Sequence, residues 1–296
     1  MQKKYLVLGG CGFIGRHLVN RLSKIGSVRV FDRDRIEFPN HENIEIISGD
    51  FTSVCFKELL SGIDTVYHLI STTIPSDDTS YSVLDMEQNV IPTVKLLEAM
   101  ANSTTKNIIF LSSGGTIYGR IDKPATEETP TNPLCSYAIQ KQTIEQYLRL
   151  YHEYHGITAI IARLSNPYGT GQQEKRRQGV IPIFTQAIKE GKAINIWGDG
   201  NIVRDYIHID DAVEALTKLD EYSGPYDVFN IGSGKGKSLL EVVQIICQEL
   251  GVPPKINFLP GRKCDVPYSV LDVNRIRNEL GWYAKIELEQ GIKLLL

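Results

Sequence analysis

Several common signatures are missing from this sequence. There are only five cysteines in 296 residues, Cys11, Cys55, Cys135, Cys247 and Cys264, widely spread and with no C-x-x-C pair. An odd, scattered set argues against a disulfide framework and a zinc site, and suits a reducing, cytoplasmic compartment. No metal site is expected. No apolar run reaches the roughly 18 residues that span a bilayer, so no membrane segment is expected. The opening MQKKYLVLGGCGFIG interrupts its short apolar run with glycines and reads as strand and turn, not signal peptide. Charge is nearly balanced, with 32 basic and 35 acidic residues. Without a basic excess or polybasic tract, neither nucleic acid nor an anionic membrane surface is an expected partner. Internal repeats and low-complexity tracts are absent as well.

What is present is a rhythm. Tyr5–Leu8, Val28–Phe31, Ile44–Ile47, Thr65–Ile70, Asn107–Leu111 and Thr158–Ala162 are short apolar runs without polar alternation, as strands covered on both faces are. Helical patterns lie between them. Val90, Val94 and Leu97 share one face, and so do Ile144, Leu148 and Tyr151, giving helices over Asp85–Asn102 and Tyr137–Tyr154. The alternation predicts an α/β fold with a Rossmann-like, doubly wound parallel sheet. After about residue 165, Gly and Pro become frequent. The expected division is a dinucleotide-binding domain over 1–165, with a return segment about 203–231, and a smaller mixed α/β substrate domain over 166–296.

YLVLGGCGFIGRHLVNRLSKIG reads as strand, glycine turn and helix, with Gly9, Gly12 and Gly15 in the spacing G-x-x-G-x-x-G. The first glycine permits the tight turn, the second lets backbone approach a pyrophosphate, and the third lets helix and strand pack closely. The positive end of the helix then faces the phosphates. Asp32, 17 residues after Gly15, can accept hydrogen bonds from ribose hydroxyls and would repel the extra phosphate of NADP. Arg33 and Arg35 pull the other way, since an arginine accommodates that phosphate. NAD is the favoured cofactor. Asp50 can reach the adenine or simply form a turn after Gly49.

Tyr137 and Lys141 in SYAIQK lie four residues apart, on one face of a helix. Thr116 lies 21 residues before Tyr137, in FLSSGGTIYG, where an apolar strand ends in small hydroxyl residues. Open α/β sheets bind ligands at the carboxyl ends of their strands. A free tyrosine, with pKa about 10, is a poor base at neutral pH. A neighbouring ammonium and a positive nicotinamide would lower that pKa, so Tyr137 could take a proton from a sugar hydroxyl that Thr116 or Ser113 positions.

Together the stretches GGCGFIG, NV at 89–90, SSGGTIYG, YAIQK, RLSNPYG, WGDGNIVRDYIHIDD, NIGSG and GRKCDVP…LGW resemble the extended short-chain dehydrogenase/reductases of the nucleotide-sugar epimerase/dehydratase kind, and most of all their UDP-glucose 4-epimerase group. The resemblance implies Tyr137, Lys141, Thr116 and Ser113 as catalytic residues. Position 114, often Ser in the family, is Gly here. Asn89 resembles the asparagine near the nicotinamide ribose, and Phe13, Ile14, Arg33, Phe51, Leu69 and Ser112 complete the expected cofactor set. Asn166, Arg204 and Arg262, with Asp265, resemble diphosphate contacts, a task that suits the planar guanidinium fork. Ser269, or Tyr268 if the match slips by one, occupies the position that gates room for the C2 substituent. The basic run Lys175–Arg177 reads as a solvated loop, and His68 and His208 as buried structural groups.

The implied reaction is NAD-dependent 4-epimerisation of a UDP-hexose or UDP-N-acetylhexosamine through a transient 4-keto sugar. The alternative is NAD(P)H-dependent reduction of a 4-keto-6-deoxy nucleotide sugar, and a remoter one is a non-catalytic NAD sensor. A 4,6-dehydratase fits less well, because its acidic residues beside the triad hydroxyl are replaced by Gly115 and Ile117. A homodimer through the two helices named above is also implied.

Overall fold

The computed structural model describes residues 2–38, 42–75, 82–172, 179–262 and 265–296. Chain order runs β1 (Lys4–Leu8), α1 (Phe13–Leu22), β2 (Ser27–Asp32), β3 (Ile44–Ser48), α2 (Phe56–Leu59), β4 (Thr65–His68), α3 (Ser82–Asp85), a π-helical turn (Met86–Val90), α4 (Ile91–Ala101), β5 (Asn107–Ser113), α5 (Ser136–His155) and β6 (Thr158–Leu164). It continues through β7 (Asn166–Tyr168), α6 (Val180–Lys189), β8 (Ile194–Trp197), β9 (Val203–His208), α7 (Ile209–Leu219), β10 (Val228–Ile231), β11 (Gly236–Ser238), α8 (Leu239–Leu250), β12 (Ile256–Leu259), β13 (Tyr268–Ser269), α9 (Asn274–Leu280) and α10 (Leu288–Lys293).

The chain divides into two units. Unit 1 holds Met1–Ser113, Pro133–Arg163 and Val213–Phe229; unit 2 holds Gly114–Asn132, Leu164–Ala212 and Asn230–Leu296. The units therefore interleave: the stretch after β5 joins unit 2, and the chain returns to unit 1 at Val213.

Unit 1 is built on a seven-stranded sheet in the order β10-β6-β5-β4-β1-β2-β3. The ladders from β3 to β5 are parallel, with Leu6 opposite Arg29 and Val66. β4 is buried at every position and β1 at all but its first, as expected of strands covered on both faces. The core joins Leu6, Leu8, Val66 and Phe110 of the sheet to Leu97 of α4 and Ile144 and Leu148 of α5. Each such side chain contributes about 1.5–3 kcal/mol by leaving water. α5 ends where Gly156 turns left-handed at φ 64°, a conformation that costs glycine little.

The helix expected from Asp85 is broken. A π-helical turn covers Met86–Val90, and α4 starts at Ile91 with a proline in its first turn. Pro92 has no N–H to return to a carbonyl one turn back, and the wider turn ahead of it accommodates that loss.

Unit 2 contains the strand set β11-β9-β13, with β7 added on β9, and the pair β12-β8. Its core packs Ile181, Phe184 and Ile188 of α6 with Val242, Val243 and Ile246 of α8. Ser238 and Glu241 close α8 with a reciprocal capping box. No helix among the described residues is long and apolar enough to cross a membrane.

Candidate active site

The glycine turn of unit 1 has the geometry its spacing predicts. Gly9 sits at φ 83° and donates its N–H to Phe31 O at 2.8 Å. Gly12 caps α1 through extended backbone, and no side chain bonds the cap. A Cβ at Gly15 would lie 2.2 Å from Gly9 O, so only glycine lets the helix come this close. Phe13 and Ile14, half-buried, form the first turn of α1. Asp32, at the end of β2, accepts the Cys11 N–H at 2.9 Å and the Asp34 N–H at 3.2 Å. That places its carboxylate against the glycine turn. A carboxylate has about four acceptor positions, and these two bonds leave capacity for ribose hydroxyls. Leu69 donates its N–H to Leu8 O, and its carbonyl carbon would lie 3.2 Å from a Cβ at Gly9.

Other expected cofactor residues are engaged locally. Asp50 is exposed and accepts both the Thr52 N–H and hydroxyl, which hold its carboxyl below the usual range, with a smaller contribution from Arg33. This is the turn-forming alternative. Phe51 is buried, with its ring 5.4 Å from Phe56 and 5.2 Å from His68. Ser112 donates its hydroxyl to Glu145 at 2.5 Å. Asn89, 2% exposed, spends its side chain on Thr72, accepting the N–H at 3.0 Å and donating to the hydroxyl at 2.8 Å.

The acid–base candidates meet where β5 faces α5. Tyr137 keeps part of its surface accessible, yet burial pushes its phenol up to about 12, while a hydrogen bond with Ser113 pulls it down. Lys141 is buried, donates to Leu111 O at 2.9 Å, and lies 4.7 Å from the Phe110 ring and 5.8 Å from the Tyr137 ring. Burial pulls its ammonium down to about 8, against the opposing pull of Glu145. Contrary to the lowered phenol expected from the sequence, the polypeptide alone raises it, because burial outweighs the Ser113 bond.

Beneath the pair, Glu145 takes Arg163 in a bidentate, fully buried bridge at 2.6 and 3.1 Å. His68 bonds Thr93 at 2.8 Å through Nε2, and burial beside Lys141 lowers it to about 3. It is a neutral structural group at neutral pH.

Thr116 belongs to unit 2, in the turn after β5. In the same unit, the amide of Asn166 lies against Gly115 and donates to Asp205 O at 2.9 Å. Ser269 is buried and donates its hydroxyl to Gly115 O at 3.1 Å. It is in register with Arg204 across β13 and β9. Strand alternation points Tyr268 to the opposite face. Arg204 is half-buried and bonds only main-chain carbonyls in the contacts resolved for it, Val203 at 2.9 Å and Val266 at 2.7 Å; burial pulls its guanidinium down. Arg262 grips Asp265 bidentately at 2.8 and 2.9 Å and lies 4.9 Å over the Trp197 ring. The ring of His208, buried, packs 5.4 Å from that of Tyr168. Lys175, Arg176 and Arg177 lie outside the described residues. Among the described residues no three His, Cys, Asp or Glu side chains group as metal ligands.

Sequence reasoning missed Glu145, Asp85 and Trp197. Glu145 follows Lys141 by one helical turn, a spacing that signals a neighbour but not its burial. Trp197 stands in WGDGN, a stretch quoted for resemblance without a role.

The chain matches the NAD dependent epimerase/dehydratase family over residues 5–232. A UDP-glucose 4-epimerase of Mycolicibacterium smegmatis is 32% identical over 302 residues, covering 97% of this chain and 95% of that protein. The dTDP-4-dehydro-6-deoxyglucose reductase of Escherichia coli is 33% identical, covering 98% and 96%. The crystal structure of a UDP-glucose 4-epimerase from Thermotoga maritima with UDP-glucose has a TM-score of 0.92 at 31% identity, covering 98% of this chain and 96% of that one.

Proposed function

The chain belongs to the NAD dependent epimerase/dehydratase family, and from that premise we propose that it is a 4-epimerase of a UDP-hexose or UDP-N-acetylhexosamine, working through a transient 4-keto sugar. The observation that carries this reading is the Tyr137–Lys141 pair, set on one face of α5 with Ser113 bonded to the phenol.

The glycine turn fits NAD: α1 begins on a glycine without a side-chain cap, and Asp32 stands beside it with acceptor capacity to spare. Gly9, Gly12, Phe13, Ile14 and Gly15 would hold the pyrophosphate, and Asp32 the adenosine ribose. Asp50 and Phe51 would border the adenine, with Arg33 beside them; Leu69, Asn89 and Ser112 complete the pocket. Held there, the nicotinamide would supply reversible hydride acceptance, so the reaction would need no net oxidant. Tyr137 Oη takes the 4-hydroxyl proton and, once the 4-keto sugar has turned over in the pocket to present its other face, returns a proton to the same oxygen. Lys141 supplies positive charge that favours the phenolate. Ser113 and Thr116 orient the sugar hydroxyl. Asn166, Arg204 and Arg262 hold the diphosphate, Arg262 exchanging Asp265 for phosphate oxygens. The small, inward-facing Ser269 leaves room for an acetamido group. Neither neighbour of Thr116 serves an elimination: Gly115 has no side chain, and Ile117 is an apolar residue buried in the core.

The test is to incubate the purified, NAD-loaded chain with UDP-glucose and UDP-GlcNAc without added cofactor. Interconversion to the galacto sugar without NAD(P)H consumption is expected. Inertness toward UDP-sugars, with NAD(P)H-dependent reduction of a 4-keto sugar, would overturn the reading in favour of a reductase, which the similarity to the Escherichia coli reductase supports. A non-catalytic sensor would keep its biological effect in Tyr137→Phe.

A homodimer through α4 and α5 belongs to the same reading. Ile91 on α4 and Ile139, Leu150 and Tyr154 on α5 are exposed apolar side chains. The cytoplasm suits the free thiols Cys11, Cys55, Cys135 and Cys247.

A further inference from the structure

Asp85 ends α3 and is 1% exposed. Its carboxylate accepts hydrogen bonds from the hydroxyls of Thr73 and Ser136 and from the Gln140 amide at 3.0 Å. Gln140 also donates to Thr73 at 2.8 Å, closing the cluster. All four residues belong to unit 1. A buried carboxylate is costly unless strong donors repay its lost water. Packing alone does not call for one here.

Two of the donors lie on α5, and each directly precedes a member of the acid–base pair: Ser136 before Tyr137, Gln140 before Lys141. Through these two donors the start of α5 is anchored from α3. Asp85 also places a negative charge at the positive end of that helix.

We propose that Asp85 is a positioning residue for the acid–base pair, fixing the first turn of α5 through Ser136 and Gln140 and so aiming Tyr137 Oη. This rests on the reading of Tyr137 as the catalytic acid and base. The same carboxylate acts on the phenol through space. In unit 1 the groups facing Tyr137 are Asp85 and Cys135, which push it up, Ser113, which pulls it down, and the Lys141 ammonium near its ring. Burial is the main hold on the Tyr137 proton, and Asp85 adds a smaller push in the same direction while the helix turn holds the phenol's direction.

Two variants separate the effects. Asp85→Asn keeps the shape and one acceptor oxygen but loses the charge; Asp85→Ala loses both. Tyr137 ionisation is read on the NAD-loaded protein by near-ultraviolet difference absorbance, each variant against its Tyr137→Phe counterpart. In Asp85→Asn the phenolate midpoint should fall, since a negative neighbour has gone. In Asp85→Ala kcat should fall about tenfold to a hundredfold, the scale of a misaimed reacting group, with KM within about twofold. Asp85→Asn should recover most of that kcat. An unmoved midpoint in Asp85→Asn, or a raised KM at unchanged kcat in Asp85→Ala, overturns the proposal. Should Asp85→Ala fail to fold, the Asp85→Asn titration decides alone. The titration needs no substrate. A chain that epimerises no UDP-sugar but shows the shifted midpoint loses the epimerase reading and keeps Asp85. One that epimerises with the midpoint unmoved keeps the reading and loses Asp85.

Discussion

The candidate acid–base residues of unit 1 and the candidate anion contacts of unit 2 carry their charge in different surroundings. Unit 1 buries it: Lys141 is 3% exposed, Glu145 and Arg163 lock together, and Asp85 sits among three donors. In unit 2 the two candidate anion contacts are half-buried or exposed, on partners that can be exchanged. Arg204 bonds carbonyls, and Arg262 bonds a carboxylate three residues away. Proton transfer needs groups whose affinity for protons is set by fixed, water-poor surroundings. An anion clamp instead must release its present partners when phosphate oxygens arrive. Changes in unit 1 should therefore appear in kcat and in stability, and changes in unit 2 in KM and selectivity.

The largest expected effect is Tyr137→Phe. Removing the phenolic oxygen takes away acid and base together, worth about 10²–10⁴-fold in kcat. Because the ring stays, the melting temperature and NAD binding should hold. A loss confined to KM would break the comparison at its centre.

Next comes Lys141→Met, read through stability and pH. Burial lowers the Lys141 ammonium from 10.5 to about 8. Between those values the unfolded chain keeps a proton that the folded chain has released, so stability from this group rises with pH across that window. Below it the folded state carries a constant penalty on the order of 3 kcal/mol. The methionine variant should therefore outlast wild type in urea at neutral pH, and its advantage should shrink as pH climbs toward the ordinary lysine value. A pH-independent difference would mean that the charge is not desolvated as the geometry indicates. The same variant should lose activity, so stability and function oppose each other at this position.

Arg204→Ala should act differently. Charged hydrogen bonds are worth about 1.5–3 kcal/mol, so KM for the nucleotide sugar should rise roughly tenfold to a hundredfold, with kcat little changed. A fall in kcat at constant KM would place Arg204 in the acid–base machinery and erase the contrast between the units.

The same contrast governs what could be read beforehand. The central strands β1 and β4 were legible because they lack alternation, and the glycine turn because Gly9 takes a left-handed φ and Gly15 leaves no room for a Cβ. The run Thr65–Ile70 exceeds its strand by two residues: β4 ends at His68, Leu69 still donates its N–H to Leu8 O, and Ile70 lies against Gly9. The break ahead of α4 was missed because the apolar periodicity runs through it, although Pro92 was the available signal. In the site, Tyr137 and Lys141 were legible as neighbours on one helix face. Their proton affinities were not, because these depend on burial and on Asp85 and Glu145, which come from a different helix and the next turn. Arg262 is an anion contact only by resemblance; the structure shows its grip on Asp265, three residues on, a spacing that serves a surface ion pair equally well.

The smallest effect concerns Ser269, and it sharpens the comparison most finely. Its hydroxyl bonds Gly115 O, one residue before Thr116, so its side chain points at the turn that carries a catalytic candidate. Ser269→Tyr fills that space and also loses the Gly115 bond. Discrimination by pocket volume is modest, about 10–200-fold for a misfit of one or a few carbons. The variant should lose about tenfold or more in kcat/KM for UDP-GlcNAc while keeping most of its value for UDP-glucose. Side-by-side progress curves on the two sugars read the ratio directly. Equal losses on both would show that the tyrosine disturbs the turn itself. Ser269 would then be a support for Thr116, and substrate size would be set elsewhere in unit 2.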